Sequence, residues 1–281
     1  MNIGLSYDVV RFEEKALLQS INNLGHKPLP IHVVAREFWI NEGNGLDADF
    51  IIQRCVSYNR AAATTAIFER SGYIVVNNTQ VLRNSADKLL TSCLLARKNV
   101  PTPVTAIALN RETALKAARK IGFPVVVKPI SGSWGRNIAR AFDEQSLLDI
   151  LELRENMPNP QMKIHYIQEH VDKPERDIRA FYVWGEVPVA IYRVSKNWKT
   201  NTALGGKAQP CPVTDELADL VIKAGDAVGG GVLGVDVLES REKGMLVNEV
   251  NGVVEFRNTV LVTGYDLPTK IVEKSVEVLK R

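Results

Sequence analysis

Short apolar runs alternate with helically spaced apolar residues along the first 85 residues. The short runs, such as Phe50-Ile51-Ile52, have the pattern of buried strands. The longer segments repeat apolar residues every three or four positions, as amphipathic helices do, and Gly25 follows the first of them. Because strands that alternate with helices usually pair in parallel, this region predicts a small parallel-sheet α/β domain. The predicted strands are residues 3–7, 50–52 and 73–76, and the predicted helices are residues 11–24 and 61–70.

A second α/β unit begins with a predicted helix at residues 87–97, followed by the rigid Pro101-Thr102-Pro103 segment. Asn110 is a favourable N-cap for the next helix, and Gly122 ends that helix. A run of three valines then predicts a buried strand that ends at Lys128.

From residue 164 onward, strand-like runs follow one another closely and predict an antiparallel sheet with two helices. The chain is therefore predicted to combine an α/β region with an α+β region. The predicted strands are residues 164–168, 178–184, 187–194, 232–238 and 245–250, and the predicted helices are residues 215–228 and 267–279. The predicted domains are residues 1–85, 86–182 and 183–281.

Composition and charge exclude several classes of protein. Apolar residues make up 45% of the chain and charged residues 24%, which is typical of ordered globular proteins. The 35 lysine and arginine residues against 32 acidic residues are too balanced for a general nucleic-acid-binding protein. No apolar run is long enough to span a membrane, and the amino terminus lacks a signal-peptide pattern. Cys55, Cys93 and Cys211 lack a CxxC spacing, so we expect neither disulfides nor a zinc site, and a cytoplasmic location.

Glycine and histidine motifs in this chain do not indicate a function. Gly229, Gly231 and Gly234 fit a G-x-G-x-x-G pattern, but they follow a helix and enter a strand, the reverse of the dinucleotide-binding order. They predict a tight helix-to-strand turn instead. His165 and His170 have no metal-binding spacing, and neither a Walker A sequence nor a Ser/His/Asp grouping is present.

Residues 128–136 combine a lysine at the end of a buried strand with a glycine-rich loop. Burying the Lys128 ammonium beside valines is unfavourable unless an anion compensates its charge. Gly132 and Gly135 would let backbone N–H groups approach phosphate oxygens, and Arg136 would add positive charge. The alternative is a hairpin whose terminal lysine reaches solvent, and this segment alone does not decide between the two.

Oxygen ligands for a metal are predicted on two late strands. Glu249 and Asn251 are two residues apart on one strand and therefore project to the same face. Pairing with the neighbouring strand would bring Asp236 beside them. The apolar neighbours indicate buried strands, and like charges inside a sheet need a cation. Three oxygen ligands with room for water and phosphate suit Mg²⁺.

Charged residues also lie on the strands between these two regions. Asp177 and Arg179 share a strand face and are expected to pair with charges across the sheet. Arg193 stands among apolar residues, which favours a buried anion beside it, such as a phosphate or a substrate carboxylate.

Taken in order, the lysine-ended strand, the glycine loop, a Gln-Glu hinge and the late Asp…Glu-x-Asn set resemble the ATP-grasp fold. The resemblance covers almost the whole chain, and residues 1–85 are similar to the small α/β domain that precedes that fold. Within the superfamily, five motifs look like the branch that glutamylates ribosomal protein S6, and more specifically like the amino-carrier-protein ligases of lysine and arginine biosynthesis. The motifs are Asp87-Lys88, Gly132-Ser133-Trp134-Gly135-Arg136, Arg176-Asp177-Ile178-Arg179, Thr200-Asn201-Thr202-Ala203 and Asn248-Glu249-Val250-Asn251.

This resemblance implies an ATP site with Mg²⁺, two ions being expected. Lys128, Arg179 and Arg193 would be catalytic, and Arg193 would also contact the nucleotide and the substrate. The remaining nucleotide-binding residues would be Lys88, Ser131, Gly132, Ser133, Trp134, Gly135, Arg136, Gln168, Glu169, His170, Val171 and Asn201, with residues 168–171 as the adenine hinge. The metal ligands would be Asp236, Glu249 and Asn251.

The resemblance also implies a reaction and its partners. ATP would phosphorylate the side-chain carboxylate of the terminal glutamate of a small acidic carrier protein, LysW, and the amino group of L-2-aminoadipate would attack the acylphosphate. Asn258-Thr259, after Glu255-Phe256-Arg257, is similar to the aminoadipate-specific type, whereas the glutamate-specific type has Gly-Phe there. Gly252-Val253-Val254 and Arg257 depart from some relatives, which leaves use of glutamate open. A homodimer or homotetramer is expected, without nucleic-acid or membrane partners.

Two alternatives remain open on the sequence. One is a glutamate ligase that acts on a ribosomal protein tail or a small cofactor, or a glutamate–LysW or bifunctional enzyme of arginine biosynthesis. The other is a non-catalytic nucleotide-binding module. The presence of the loop lysine and all three metal ligands argues against the second.

Overall fold

The computed structural model describes residues 1–132, 135–200 and 205–280. The first domain comprises β1 (Asn2–Tyr7), α1 (Phe12–Asn23), β2 (Lys27–His32), β3 (Phe50–Gln53), α2 (Tyr58–Arg70), β4 (Ile74–Val76) and α3 (Thr79–Ala86). Its strands form a parallel sheet in the order β2-β1-β3-β4, which confirms the predicted α/β domain. The sequence does not predict β2, because Pro28 and Pro30 remove backbone donors. The strand forms at the sheet edge, where proline is tolerated.

The second sheet is antiparallel, in the order β5-β8-β6-β7. Its region comprises α4 (Lys88–Arg97), β5 (Thr105–Ala108), α5 (Arg111–Ile121), β6 (Val125–Lys128), β7 (Ala139–Ala141), α6 (Glu144–Glu155) and β8 (His165–Glu169). As predicted, the Asn110 side chain caps α5, and Gly122 ends it with a positive φ of 94°.

The third sheet is also antiparallel, in the order β11-β10-β9-β12-β13, as predicted for this half of the chain. Its region comprises β9 (Arg176–Val183), β10 (Ala190–Val194), β11 (Lys207–Cys211), α7 (Asp215–Val228), β12 (Val232–Ser240), β13 (Gly244–Asn251), α8 (Arg257–Thr263) and α9 (Leu267–Leu279). Gly229 ends α7 in a left-handed conformation, which confirms the helix-to-strand turn. The chain passes between the two sheets at residues 170–175, whereas the predicted division after residue 182 falls within β9.

The first domain packs directly on the third sheet. Ile3, Leu5 and Phe50 share one buried apolar cluster with Phe181 of β9 and Phe256 at the start of α8. This shared core fixes the first domain against the segment that follows β13. Among the described residues, no helix is long and apolar enough to cross a membrane.

Candidate functional site

Lys128 is buried at the end of β6. Its side chain is only 7% exposed, and Nζ donates to Gln168 Oε1 at 2.6 Å and Asn248 Oδ1 at 2.9 Å. Burial lowers the pKa of the ammonium from 10.5 to about 8, assisted by Lys88 and opposed by Glu249. The alternative of a lysine that reaches solvent is therefore wrong. Lys128 joins the second sheet to the third through neutral amides.

Lys88 approaches the same place from the start of α4. Its Nζ lies 3.0 Å from Glu249 Oε1 and donates to the carbonyl oxygen of Gly132 at 3.0 Å. Lys88, Gln168, Asn248 and Glu249 line one narrow cleft between the second and third sheets. Lys128 donates to two of these lining residues, Gln168 and Asn248, so the two lysine side chains lie close to each other at the junction of the two sheets.

The glycine-rich loop is tied at both ends by two cations that the sequence did not single out. Arg154 of α6, 3% exposed, donates to the carbonyl oxygens of Lys128 and Asn137, each at 3.3 Å. Lys199 Nζ donates to the carbonyl oxygen of Ile138 at 2.6 Å. No sequence pattern near Arg154 or Lys199 indicates this role. Ser131, Gly132, Gly135 and Arg136 are described, whereas the predicted Ser133, Trp134 and Asn201 lie outside the described residues.

The hinge residues follow β8 and differ in their contacts. The Gln168 side chain is 3% exposed and accepts a hydrogen bond from Lys128 in the interior. Glu169 forms an ion pair with Lys243. His170 Nε2 lies 3.0 Å from Arg140 Nη1, and burial with this neighbouring cation lowers the pKa of His170. Val171 follows directly, in the segment that joins the two sheets.

Asp236 and Glu249 are direct partners in the β12–β13 ladder, as the sequence predicts. Asp236 is 1% exposed and makes two hydrogen bonds with Arg179, at 2.8 and 2.9 Å, while Arg193 Nη2 lies 3.0 Å away. Burial would raise the pKa of Asp236, but the two guanidinium groups outweigh it and hold the pKa below its usual value of 3.8. The cations that neutralise these strands are thus protein side chains, which corrects the inference that they require a metal.

Arg193 has a buried anion beside it, and the protein itself supplies that anion. Arg193 donates to both carboxylate oxygens of Asp177, at 2.7 and 2.8 Å, across the β9–β10 ladder. The expectation that Asp177 and Arg179 pair across the sheet is confirmed. The sequence predicts a buried anion beside Arg193 but names a phosphate or a substrate carboxylate, whereas the structure shows the carboxylates of Asp177 and Asp236 there. Arg179 and Arg193 still line open cavities.

The donor set at Glu249 and Asn251 fits a divalent cation. Both residues line one cavity of about 280 Å³ together with Arg179, Arg193 and Ser131 of the glycine loop. The Asn251 side-chain amide has a buried nitrogen without a hydrogen-bond partner among the described residues. That nitrogen is a donor and binds no cation, but the Asn251 amide oxygen and the Glu249 carboxylate, two residues apart on one strand face, are ligands of the kind that a hard ion such as Mg²⁺ takes. Asp236 is not among the described residues that line this cavity, and its carboxylate is held by Arg179 and Arg193.

A second cavity of about 390 Å³ contains the predicted specificity pair. Asn258 is exposed and Thr259 is 1% exposed, and both line this cavity with Arg179 and Arg193. The two cavities share four lining residues, which are Arg11, Arg179, Arg193 and Glu255. The site therefore has two chambers that meet at the arginines. Sequence reasoning missed Arg11, although its position beyond the carboxyl end of a parallel strand is typical of ligand-binding residues.

Comparison with known protein families shows the family of this chain. The RimK-like ATP-grasp domain family matches residues 85–275, and the LysX preATP-grasp domain family matches residues 3–83. The chain belongs to the RimK-like ATP-grasp family. The strands of the second and third sheets all lie within the matched residues 85–275, which confirms the ATP-grasp fold that the resemblance implied.

Similar proteins of this ATP-grasp family cover the whole chain. The chain is 44% identical to the α-aminoadipate–LysW ligase LysX of Sulfurisphaera tokodaii, over 100% of both chains. It is 34% identical to the glutamate–LysW ligase ArgX of the same organism, over 97% of each chain. Among solved structures, a RimK domain ATP-grasp protein of Sphaerobacter thermophilus has a TM-score of 0.78 at 20% identity, covering 98% of this chain and 99% of that one. At this identity, the structural likeness shows the fold alone.

Arg154 offers a test of the loop support. Replacing Arg154 with methionine leaves the carbonyl oxygens of Lys128 and Asn137 without their donor, which destabilises the loop by about 1–3 kcal/mol. We expect the KM for ATP to rise about tenfold, because part of the binding free energy of ATP must then be used to order the loop. Arg111→Met is the control, since it removes the surface ion pair to Glu155 of the same helix. An unchanged KM for ATP in Arg154→Met would contradict the loop-support role.

Proposed function

We propose that the chain is an ATP-dependent carboxylate–amine ligase that joins the amino group of L-2-aminoadipate to the side-chain carboxylate of the C-terminal glutamate of LysW, in lysine biosynthesis. The observation that carries this proposal is the graded similarity. Three α-aminoadipate–LysW ligases are 42–45% identical to the chain, whereas two glutamate–LysW ligases are 32–34% identical. The presence of Asn258 and Thr259 in a cavity beside two arginines supports the same substrate.

The residues of the cleft support phosphoryl transfer by position and charge. Lys88 and Lys128 would bind the phosphates of ATP, and the loop at residues 131–136 would close over them. Glu249 and Asn251 would hold Mg²⁺, which neutralises charge on the phosphates, with Asp236 as a further predicted ligand and a second ion expected. Phosphoryl transfer requires alignment of the reactants and neutralisation of charge more than covalent chemistry by the protein. The lysines and arginines of this site would supply the positive charge.

The two chambers support a two-step reaction. In the first step, the γ-phosphoryl group would pass from ATP to the glutamate side chain of the carrier, giving ADP and an acylphosphate. In the second, the amine of 2-aminoadipate would attack the acyl carbon and release phosphate. Arg179 and Arg193 line both chambers, so they would stabilise negative charge on the transferred group in each step.

An intact-mass experiment tests the proposal. Purified protein, ATP, Mg²⁺ and LysW are incubated with either 2-aminoadipate or glutamate, and the mass of LysW is measured. We expect addition of one 2-aminoadipate residue, dependent on ATP. Addition of glutamate alone would favour the glutamate–LysW reaction, and addition of both would favour a bifunctional enzyme. No addition of either would overturn the proposal. The same preparation gives the oligomeric state, expected to be a dimer or tetramer.

A substitution at the specificity pair tests the substrate. 2-Aminoadipate and glutamate differ by one methylene, so packing alone discriminates by about 1–3 kcal/mol, or roughly 10–200-fold. Asn258 and Thr259 would add side-chain hydrogen-bond donors that the carboxylate of the longer 2-aminoadipate side chain can reach. Asn258→Gly with Thr259→Phe removes both donors and fills volume at a position that is 1% exposed. We expect kcat/KM to fall far more for 2-aminoadipate than for glutamate.

A control on the same helix separates specificity from helix stability. Leu261 of α8 is 64% exposed, so Leu261→Gly weakens the helix without removing a buried or cavity-facing group. Its kcat/KM values should fall equally for the two amino acids. If the Asn258/Thr259 double variant keeps the wild-type preference, the assignment of specificity to this pair is wrong, even if the ligase activity is present.

A further inference from the structure

Glu13 joins α1 of the first domain to the start of α8. Its side chain is 3% exposed, and Oε1 accepts the N–H of Phe256 at 3.0 Å and the N–H of Arg257 at 2.9 Å. These donors lie at the first positions of α8, where no helical carbonyl group can accept from them. Hydrogen bonds to a buried carboxylate are short and strongly directional. The start of α8 is therefore fixed by a residue 243 positions earlier in the chain.

Two arginines of the first domain hold the residues just before α8. Arg54 Nη1 donates to the carbonyl oxygen of Val254 at 3.0 Å, and Arg11 Nη1 donates to Glu255 Oε1 at 3.0 Å. Fully buried Glu14 fixes both arginines, at 2.8 Å from Arg11 and 3.3 Å from Arg54. Every residue at positions 254–257 thus receives a direct polar contact from the first domain.

The segment at residues 254–257 lies between two parts of the proposed site. Asn251 precedes it in the smaller cavity, and Asn258 and Thr259 follow it in the larger one. Glu13 itself also lines the larger cavity. Substrate selection requires side chains held within about 0.5 Å of the productive geometry, so a shift of α8 would change selection before it changed the fold.

We propose that Glu13 is a positioning residue for amino-acid selection. By fixing the first turn of α8, it sets the depth of the cavity in front of Asn258 and Thr259, and so favours 2-aminoadipate over the shorter glutamate. This inference rests on the proposed function. A positioning role can be distinguished from a purely structural one. Loss of folded protein lowers kcat/KM equally for both amino acids and leaves the ratio of the two kcat/KM values unchanged.

The test compares Glu13→Gln and Glu13→Ala with the wild-type protein. Each variant is assayed with ATP, Mg²⁺ and LysW, and kcat and KM are measured for both amino acids and for ATP. Glutamine keeps an acceptor oxygen but loses the charge, whereas alanine loses both. We expect the ratio of kcat/KM for 2-aminoadipate over glutamate to fall roughly threefold in Glu13→Gln and about tenfold in Glu13→Ala. The change should come from the KM for 2-aminoadipate, with the KM for ATP unchanged.

Glu69→Gln is the matched control. Glu69 holds the start of α3 in a similar way, because its carboxylate accepts the backbone N–H of Thr79 at 2.8 Å and the Thr79 hydroxyl at 2.6 Å. Neither Glu69 nor Thr79 is among the described residues that line the two cavities. This variant should lower thermal stability while leaving the ratio between the two amino acids unchanged.

The outcomes separate the inference from the proposed function. If the wild-type protein charges LysW but Glu13→Gln and Glu13→Ala both keep the wild-type ratio, the positioning role is overturned and the ligase function stands. If the wild-type protein charges LysW with neither amino acid, the proposed function fails, and the inference fails with it. If Glu13→Ala does not fold, the ratio in Glu13→Gln decides.

Discussion

Glu249→Gln is expected to reduce ADP formation at least about 100-fold while leaving the fold intact. Glu249 shares one cavity with Asn251 and lies 3.0 Å from Lys88 Nζ. Its carboxylate is the anionic member of the donor pair proposed for Mg²⁺, and a neutral amide is a much weaker ligand for a hard cation. The side chain is 25% exposed, so loss of the Lys88 ion pair should change the free energy of unfolding by only about 1 kcal/mol.

Two measurements check this prediction. ADP release is followed in a steady-state assay, and Mg²⁺ binding is titrated calorimetrically in the presence of ADP. Glu239→Gln is the control, because Glu239 on the neighbouring strand pairs with Arg176 at 2.7 Å, near the solvent-exposed end of the sheet. It should keep wild-type ADP release. Wild-type ADP release by Glu249→Gln would show that Glu249 does not hold the metal.

The periodic parts of the fold could be predicted from the sequence, because local patterns determine them. Three consecutive valines predict the buried β6, and Asn110 with Gly122 predicts both ends of α5. Two of the missed elements, the strands β7 and β11, lack such patterns. Strand β7 has only three residues, and β11 is mostly polar with Pro210 in it. Both lie at sheet edges, so pairing with a neighbouring strand stabilises them rather than their own pattern.

The candidate site could be predicted only where its geometry lies within one strand or one hairpin. The two-residue period places Glu249 and Asn251 on one face, and the hairpin adds Asp236. The sequence predicts that Asp177 and Arg179 form ion pairs across the sheet, but the identity of their partners depends on the register between three strands, which local sequence does not encode. The contact of Glu13 with the start of α8 requires the packing of two domains, so no pattern near residue 13 could indicate it.

Lys128→Met is expected to abolish measurable ATP binding yet change the free energy of unfolding at neutral pH by no more than about 2 kcal/mol. The pKa of this lysine is 10.5 in the unfolded chain and about 8 in the folded protein. Below pH 8 its burial therefore destabilises the fold by about 3 kcal/mol, and stability rises as the pH increases from 8 toward 10.5. Methionine removes this penalty but leaves Gln168 and Asn248 without their donor, which costs a similar amount.

The same pKa gives ATP affinity a pH dependence. Phosphate oxygens bind the protonated lysine, so above pH 8 the free protein must take up a proton to bind, and the dissociation constant of a non-hydrolysable ATP analogue should rise about tenfold per pH unit. Burial sets this pKa, Lys88 lowers it further, and Glu249 and Asp236 raise it. Calorimetric titrations of the wild-type protein and of Lys120→Met, an exposed lysine of α5, should both show the rise. Affinity that stays constant from about pH 7 to pH 9, or tight binding by Lys128→Met, would show that Lys128 does not bind the phosphates.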